Sequence, residues 1–311
     1  MSQEFNNLVN TRLYPVLWVH ASPGSGKSVL CATVIDHLLE QNRHCVYFFF
    51  KHGDRQKRSL AYMLRSSAYQ MALQVPAYRR ELTGMAKYGL QMHGLDALSI
   101  WRRLYLSLLS EIKLEEEIYW VIDGLDESES SKQVVDFISA VADFKNQIRV
   151  LVFSRPLPTI NQYFHKARKR TPIVEKSLES NEDDIRLFVV DEIDYLPSDD
   201  DFKSEIINEI IRRSQGNFLW VSLVLKRVVR CHRQEQVRQV LETTPDGMNQ
   251  LYGRMLSLVA DLEMPEDKIL ARILLSWAMY AKNPLTVEEL SEFHAAEIRA
   301  VMDLKYTLEN I

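Results

Sequence analysis

The chain has 311 residues, 46% hydrophobic and 26% charged, enough for one large core and one or two smaller ones, so two to three domains are expected. Its formal net charge of -4 supplies no field that would draw it to nucleic acid or to an anionic membrane. The cysteines, Cys31, Cys45 and Cys231, are scattered and unpaired in sequence, which argues against a disulfide framework and a zinc site. No apolar run is long enough to span a bilayer, and the expectation is a soluble cytoplasmic protein.

In chain order, five short apolar runs alternate with helix-length stretches: VLWVH from Val16, CVYFFF from Cys45, IYWVI from Ile118, IRVLVF from Ile148 and PIVEKSL from Pro172. Runs that are apolar on both faces imply a parallel sheet covered on two sides, an α/β fold of three layers. Between the first two runs, Leu30, Val34 and Leu38, with Ile35 and Leu39 beside them, predict a helix packed on that sheet. After Glu179 the β-branched runs stop. The segments DDIRLFVVDEI, SEIINEIIRRS and FLWVSLVLKRVVRC have helical periodicity and predict an all-α domain, with helix ends at PSDDD (197–201) and TTPDG (243–247).

Directly after the first predicted strand comes ASPGSGKS, Ala21 to Ser28, and then the predicted helix. A small-residue turn between strand and helix lets backbone N–H groups converge on phosphate, and the helix N-terminus adds partial positive charge. In this P-loop NTPase arrangement Pro23, Gly24, Ser25 and Gly26 shape the loop, with Ala21 where glycine is usual. Lys27 reaches the β and γ phosphates, and the Ser28 hydroxyl ligates Mg2+. The predicted ligands are ATP or GTP with Mg2+.

A second motif, IYWVIDGLDES, ends a strand at Asp123, placed to hold a magnesium-bound water opposite Ser28, and leaves Asp126 or Glu127 to orient or deprotonate the attacking water. The same carboxylates also suit the start of the following helix, and the two uses are compatible. In the third motif, IRVLVFSRP, Arg155 at a strand end is placed to sense the γ-phosphate. The basic run HKARKR, 165–170, is read as a solvated helix face, Trp18, Trp120 and Trp220 as core, and His20 as a strand-end residue.

Together ASPGSGKS, VIDGLDE and VFSRP resemble the NACHT branch of the signal-transduction NTPases, and the flanking segments look like fungal members. YFFFKHGDR (47–55), MLRSSAYQ (63–70) and SQGNFLWVSLVL (214–225) add to the likeness, and LSWAMYAKNPLTVEEL (275–290) is similar to the start of that family's winged-helix domain. The resemblance implies a stub at 1–12, a P-loop NTPase domain at 13–179, a helical domain at 180–246 and a winged-helix-like region at 247–311. It implies an ATP/ADP-dependent conformational switch in fungal self/non-self recognition or innate immunity. The family's protein partners act through effector and sensor domains, and a nucleotide-dependent oligomer is expected; neither nucleic acid nor membrane is an expected partner. The alternative is an interaction scaffold that retains nucleotide without hydrolysing it. The helical segment lacks the Gly-x-Pro motif used elsewhere in the superfamily to contact adenine, which leaves the base open.

Overall fold

The computed structural model describes residues 15–87, 94–144, 147–178, 181–194, 199–281, 285–286, 289–290 and 292. The predicted stub, and within the expected winged-helix region residues 282–284, 287–288, 291 and 293–311, therefore lie outside the described residues.

Five parallel strands, β1 (Val16–His20), β2 (His44–Phe49), β3 (Ile118–Asp123), β4 (Ile148–Ser154) and β5 (Ile173–Ser177), form one sheet in the order β2-β3-β4-β1-β5. They are the five apolar runs of the sequence. Because side chains alternate across a strand, Val16 and Trp18 of β1 face one layer while Leu17 and Val19 face the other, and all four are buried. On the second face lies helix α1 (Lys27–Glu40), which packs through Cys31, Val34, Ile35 and Leu38. The predicted stripe is shifted at its margins: Cys31 occupies an inner position, and Leu39 is 46% exposed at the helix end.

The first face is the thicker one. It is covered by α2 (Leu60–Gln74), α3 (Pro76–Lys87), α4 (Ala97–Trp101), a π-helical stretch (Arg102–Ser107), α5 (Leu108–Glu111), α6 (Ser131–Phe144) and α7 (Pro158–Ala167). The buried Tyr78 hydroxyl donates to the Leu104 carbonyl at 2.7 Å and the Tyr105 hydroxyl to the Leu64 carbonyl at 2.6 Å, so the two phenols satisfy main-chain acceptors inside this layer. Cys31 and Cys45 are free and buried, and burial pushes the Cys45 thiol up to about 12, which suits inert core residues.

Beyond the sheet, α8 (Glu182–Ile193), α9 (Asp200–Ser214), α10 (Phe218–Val228) and α11 (Gln234–Thr243) bury a separate core that includes Ile185, Val189, Ile206, Ile210, Trp220, Val224 and Leu241. The predicted helix ends are real. Asp199 caps α9 by accepting from Phe202 N–H at 2.8 Å, and α11 stops at Thr243. The buried Arg213 guanidinium binds the Asp246 carboxylate and the carbonyls of Leu241 and Thr244, fastening the turn between α11 and α12 (Gly247–Ala260). Helix α13 (Pro265–Tyr280) follows. The basic run 165–170 is exposed apart from the half-buried Ala167, and Trp18, Trp120 and Trp220 are core, as the sequence indicates.

Candidate nucleotide site

Parallel strands deliver their following loops to one edge, and β4 lies between β1 and β3. The three motifs therefore meet at the carboxyl ends of adjacent strands. Ala21 is buried and donates its N–H to the Ser154 carbonyl at 3.3 Å, fixing the loop to β4. Gly26 precedes α1 with φ +88, a left-handed conformation that L side chains rarely adopt, and this lets the chain turn from loop into helix. No acidic residue occupies the first turn of α1, so the positive end of the helix is uncompensated.

Lys27 Nζ donates to the carbonyls of Ala21 and Ser22, each at 2.8 Å, arching back over the loop. Burial lowers its pKa, and the Asp126 carboxylate partly opposes this. Such an ammonium is poorly solvated and gains from an incoming polyphosphate. Ser28 Oγ donates to Asp123 Oδ2 at 2.6 Å, across 95 residues of sequence. Asp123 is 6% exposed; desolvation raises its pKa, against the lowering effect of the Ser28 hydrogen bond.

These two adjacent oxygen donors fit Mg2+, which takes few protein ligands and completes its shell with water and phosphate oxygens. Among the described residues no cluster of three or more His, Cys, Asp or Glu could hold a metal without such outside ligands.

The remaining predicted residues separate into two arrangements. Asp126 and Arg155 bind each other: Asp126 Oδ1 accepts from Arg155 N–H at 2.9 Å, and Oδ2 lies 3.2 Å from Arg155 Nε. Glu127 turns the other way and accepts from His52 N–H at 2.8 Å. His20 also has a partner, Glu175 Oε1 at 2.9 Å, and Arg168 binds the same carboxylate.

Sequence reasoning overlooked the residues that close the site. Asn217 Nδ2 donates to the Pro23 carbonyl at 3.0 Å while its Oδ1 caps α10 at Trp220 N–H, and Leu219 N–H donates to the Gly24 carbonyl at 3.3 Å. Asn181 Nδ2 bridges to the Gly216 carbonyl at 2.8 Å and the Ser25 carbonyl at 3.5 Å. Among the described residues, buried Ser25 Oγ and Asn181 Oδ1 have no hydrogen-bond partner. Together loop and helices enclose a cavity of about 690 Å³, whose walls include Gly24, Val29, Thr33, Phe188, Phe218 and Leu219. The rings of Phe188 and Phe218 lie 6.1 Å apart at 52°. The only trace of this in the sequence is a polar Gly-Asn step before an apolar helix, which reads as an ordinary cap.

Residues 1–155 match the family model for the N-terminal region of nephrocystin 3. Over 289 residues the chain is 26% identical to the vegetative incompatibility protein HET-E-1 of Podospora anserina, a match that takes in 89% of this chain and 21% of that protein. The chain thus spans about a fifth of its relative's length. Among solved structures it is similar to the Orc1 protein of Aeropyrum pernix (12% identity, 95% of this chain and 77% of that one, TM-score 0.49). It is also similar to Cdc6p of Pyrobaculum aerophilum (14%, 93% and 75%, TM-score 0.47). Likenesses at that level say nothing about function. Among the described residues no helix is long and apolar enough to cross a membrane. The three strand-end motifs brought to one edge, with the two sequence matches, support a NACHT-type NTPase region in this chain.

Proposed function

We propose that the chain is a nucleotide-dependent conformational switch that binds ATP or GTP with Mg2+ and hydrolyses it slowly. The observation that carries this reading is the two-sided site: Asn217 and Leu219 of the helical region bond to the carbonyls of Pro23 and Gly24 in the phosphate loop. A triphosphate on Lys27 and the α1 N-terminus would alter the loop to which the helices are attached, so nucleotide state and the packing of the helical region are coupled. The domain boundaries that accompany this reading are 13–179 for the NTPase domain, 180–246 for the helical domain and 247–311 for a winged-helix-like region.

Within the site, Ser28 would ligate Mg2+ and Asp123 would hold one of its waters, and the chemistry the ion would supply when bound is charge neutralisation at the phosphates. Asp126 positions Arg155, whose guanidinium turns from that carboxylate to the γ-phosphate, and Glu127 orients the attacking water. The base would enter the apolar cavity that Phe188 and Phe218 line, walls that suit any purine face. A cytoplasmic role in fungal self/non-self recognition, with nucleotide-dependent self-association, is consistent with the likeness to a vegetative incompatibility protein.

Calorimetric titration with ATP, GTP and ADP in magnesium buffer, with phosphate release followed in parallel, tests the proposal. Lys27→Ala removes a charge-assisted contact and should weaken triphosphate binding by roughly 10- to 100-fold. Glu127→Gln should bind normally and stop turnover. Equal binding by wild type and Lys27→Ala defeats the reading. Tight binding without phosphate release from wild type replaces the switch with a nucleotide-retaining scaffold.

A further inference from the structure

The two edges of the sheet are finished differently. The β5 edge is a short strand carrying Glu175 and Lys176, charges that discourage a further strand from pairing. The other edge is β2, with sequence HCVYFF followed by Phe50. It has no acidic or lysine side chain, no proline and no glycine, the composition that favours strand addition and cross-β stacking.

Residues of β2 alternate in the direction of their main-chain groups. Phe50 N–H donates to the Asp123 carbonyl, so Val46 and Phe48, at the same parity, face β3, and Cys45, Tyr47 and Phe49 face outward. The main-chain groups of Cys45 and Tyr47, in the middle of that edge, would be open to a sixth strand, yet all four are bonded. Gln70 of α2 accepts from Tyr47 N–H and donates to the Tyr47 carbonyl, both at 2.9 Å. Gln74 accepts from Cys45 N–H and donates to the Cys45 carbonyl, both at 2.8 Å. Each side-chain amide meets the N–H and C=O of a single residue, as the opposed residue of an antiparallel strand would.

The spacing explains why a helix can do this. Glutamines four apart on a helix rise about 6 Å, and residues two apart on a strand rise about 6.6 Å. Secondary bonds lock both amides in place: Gln70 Nε2 also donates to Ser66 Oγ, and Gln74 Nε2 to the Gln70 carbonyl, each at 3.3 Å.

We infer that Gln70 and Gln74 act as a side-chain substitute for a sixth strand, closing the β2 edge against strand addition by a second copy of this chain. The inference does not depend on nucleotide binding. Residue-resolved hydrogen exchange and sedimentation of the full chain test it. In wild type the Cys45 and Tyr47 amides should be protected comparably to Val46 and Phe48. In Gln70→Ala/Gln74→Ala, where alanine preserves helix propensity, Cys45 and Tyr47 should exchange roughly tenfold faster or more, with Val46 and Phe48 little changed. That variant should also self-associate with concentration. Gln70→Glu/Gln74→Glu should remain monomeric, because its carboxylates put charge along the edge. Cys45 and Tyr47 amides that exchange freely in wild type would overturn the inference, and that reading does not require any variant to fold. Unchanged exchange, or an alanine variant that stays monomeric, would overturn it too.

Discussion

The sheet half of the nucleotide site and its helical half are built from different materials. The sheet half consists of a small-residue loop, a lysine, carboxylates and an arginine at strand ends, residues whose chemistry is evident wherever they fall in a sequence. The helical half consists of Asn181, Asn217, Leu219 and two phenylalanines, which individually are helix caps, an exposed leucine and half-buried aromatics. What makes them part of a site is only their contact with Pro23, Gly24 and Ser25. On the proposed function, recognition of phosphate would rest on local chain geometry, and recognition of the base on packing between elements some 190 residues apart.

The largest effect should come from forcing the halves apart. Gly24 has φ +77, and a Cβ there would lie 2.5 Å from Asn217 Oδ1. Gly24→Ala should cost about 2–4 kcal/mol from left-handed strain and overpacking. Asn217→Ala loses the α10 cap, about 1 kcal/mol, but removes the obstructing amide. Urea denaturation of both single variants and the double variant should therefore give a non-additive cycle, with at least about 0.5 kcal/mol of coupling. Strict additivity would mean that loop and helix do not touch in solution.

Phe218→Ala sharpens the comparison with a smaller effect. Loss of one aromatic wall should weaken ATP binding by roughly tenfold, while inorganic tripolyphosphate, which lacks a base, should bind as it does to wild type. A parallel loss for tripolyphosphate would show that the helical half serves the phosphates as well.

The smallest effect lies within the sheet half. Burial raises the Asp123 pKa in the folded chain, so the folded state holds this proton more tightly than the unfolded state does. The associated stability is present below the ordinary carboxylate range, near pH 4, and is lost as pH rises through the raised value. Asp123→Asn, neutral throughout, should flatten that decline in thermal melts between about pH 4 and 7. Saturating Mg2+ and nucleotide should flatten it in wild type, because the ion compensates the carboxylate. Identical slopes for wild type and variant would remove Asp123 as the titrating group.

The central strands β1, β3 and β4 were legible because a central parallel strand buries both faces, and uninterrupted runs such as IYWVI have few other uses; the edge strand β5, half-buried and carrying Glu175 and Lys176, had the weakest signal. The helices after Glu179 followed from periodicity alone. The α1 stripe was slightly misplaced: Leu39 satisfies the spacing but sits exposed in the last turn, while the less conspicuous Cys31 fills the inner position. The roles open between Asp126 and Glu127 could not be divided from spacing, since adjacent residues in a short 3-10 turn point in different directions; only coordinates placed Asp126 on Arg155 and Glu127 on His52.

The sequence by itself determined the strand–loop–helix order and singled out the groups proposed to meet phosphate and metal, because backbone alternation, helical period and the Gly-rich turn are local properties set by neighbouring residues. The tertiary structure alone decided the strand order that brings Asp123 to Ser28, the asparagines that close the loop, the aromatic walls of the cavity and the glutamine pair on β2. Each of these is a meeting of residues distant in the chain. Such a meeting depends on how whole elements pack, and packing leaves no signature in any single stretch of sequence.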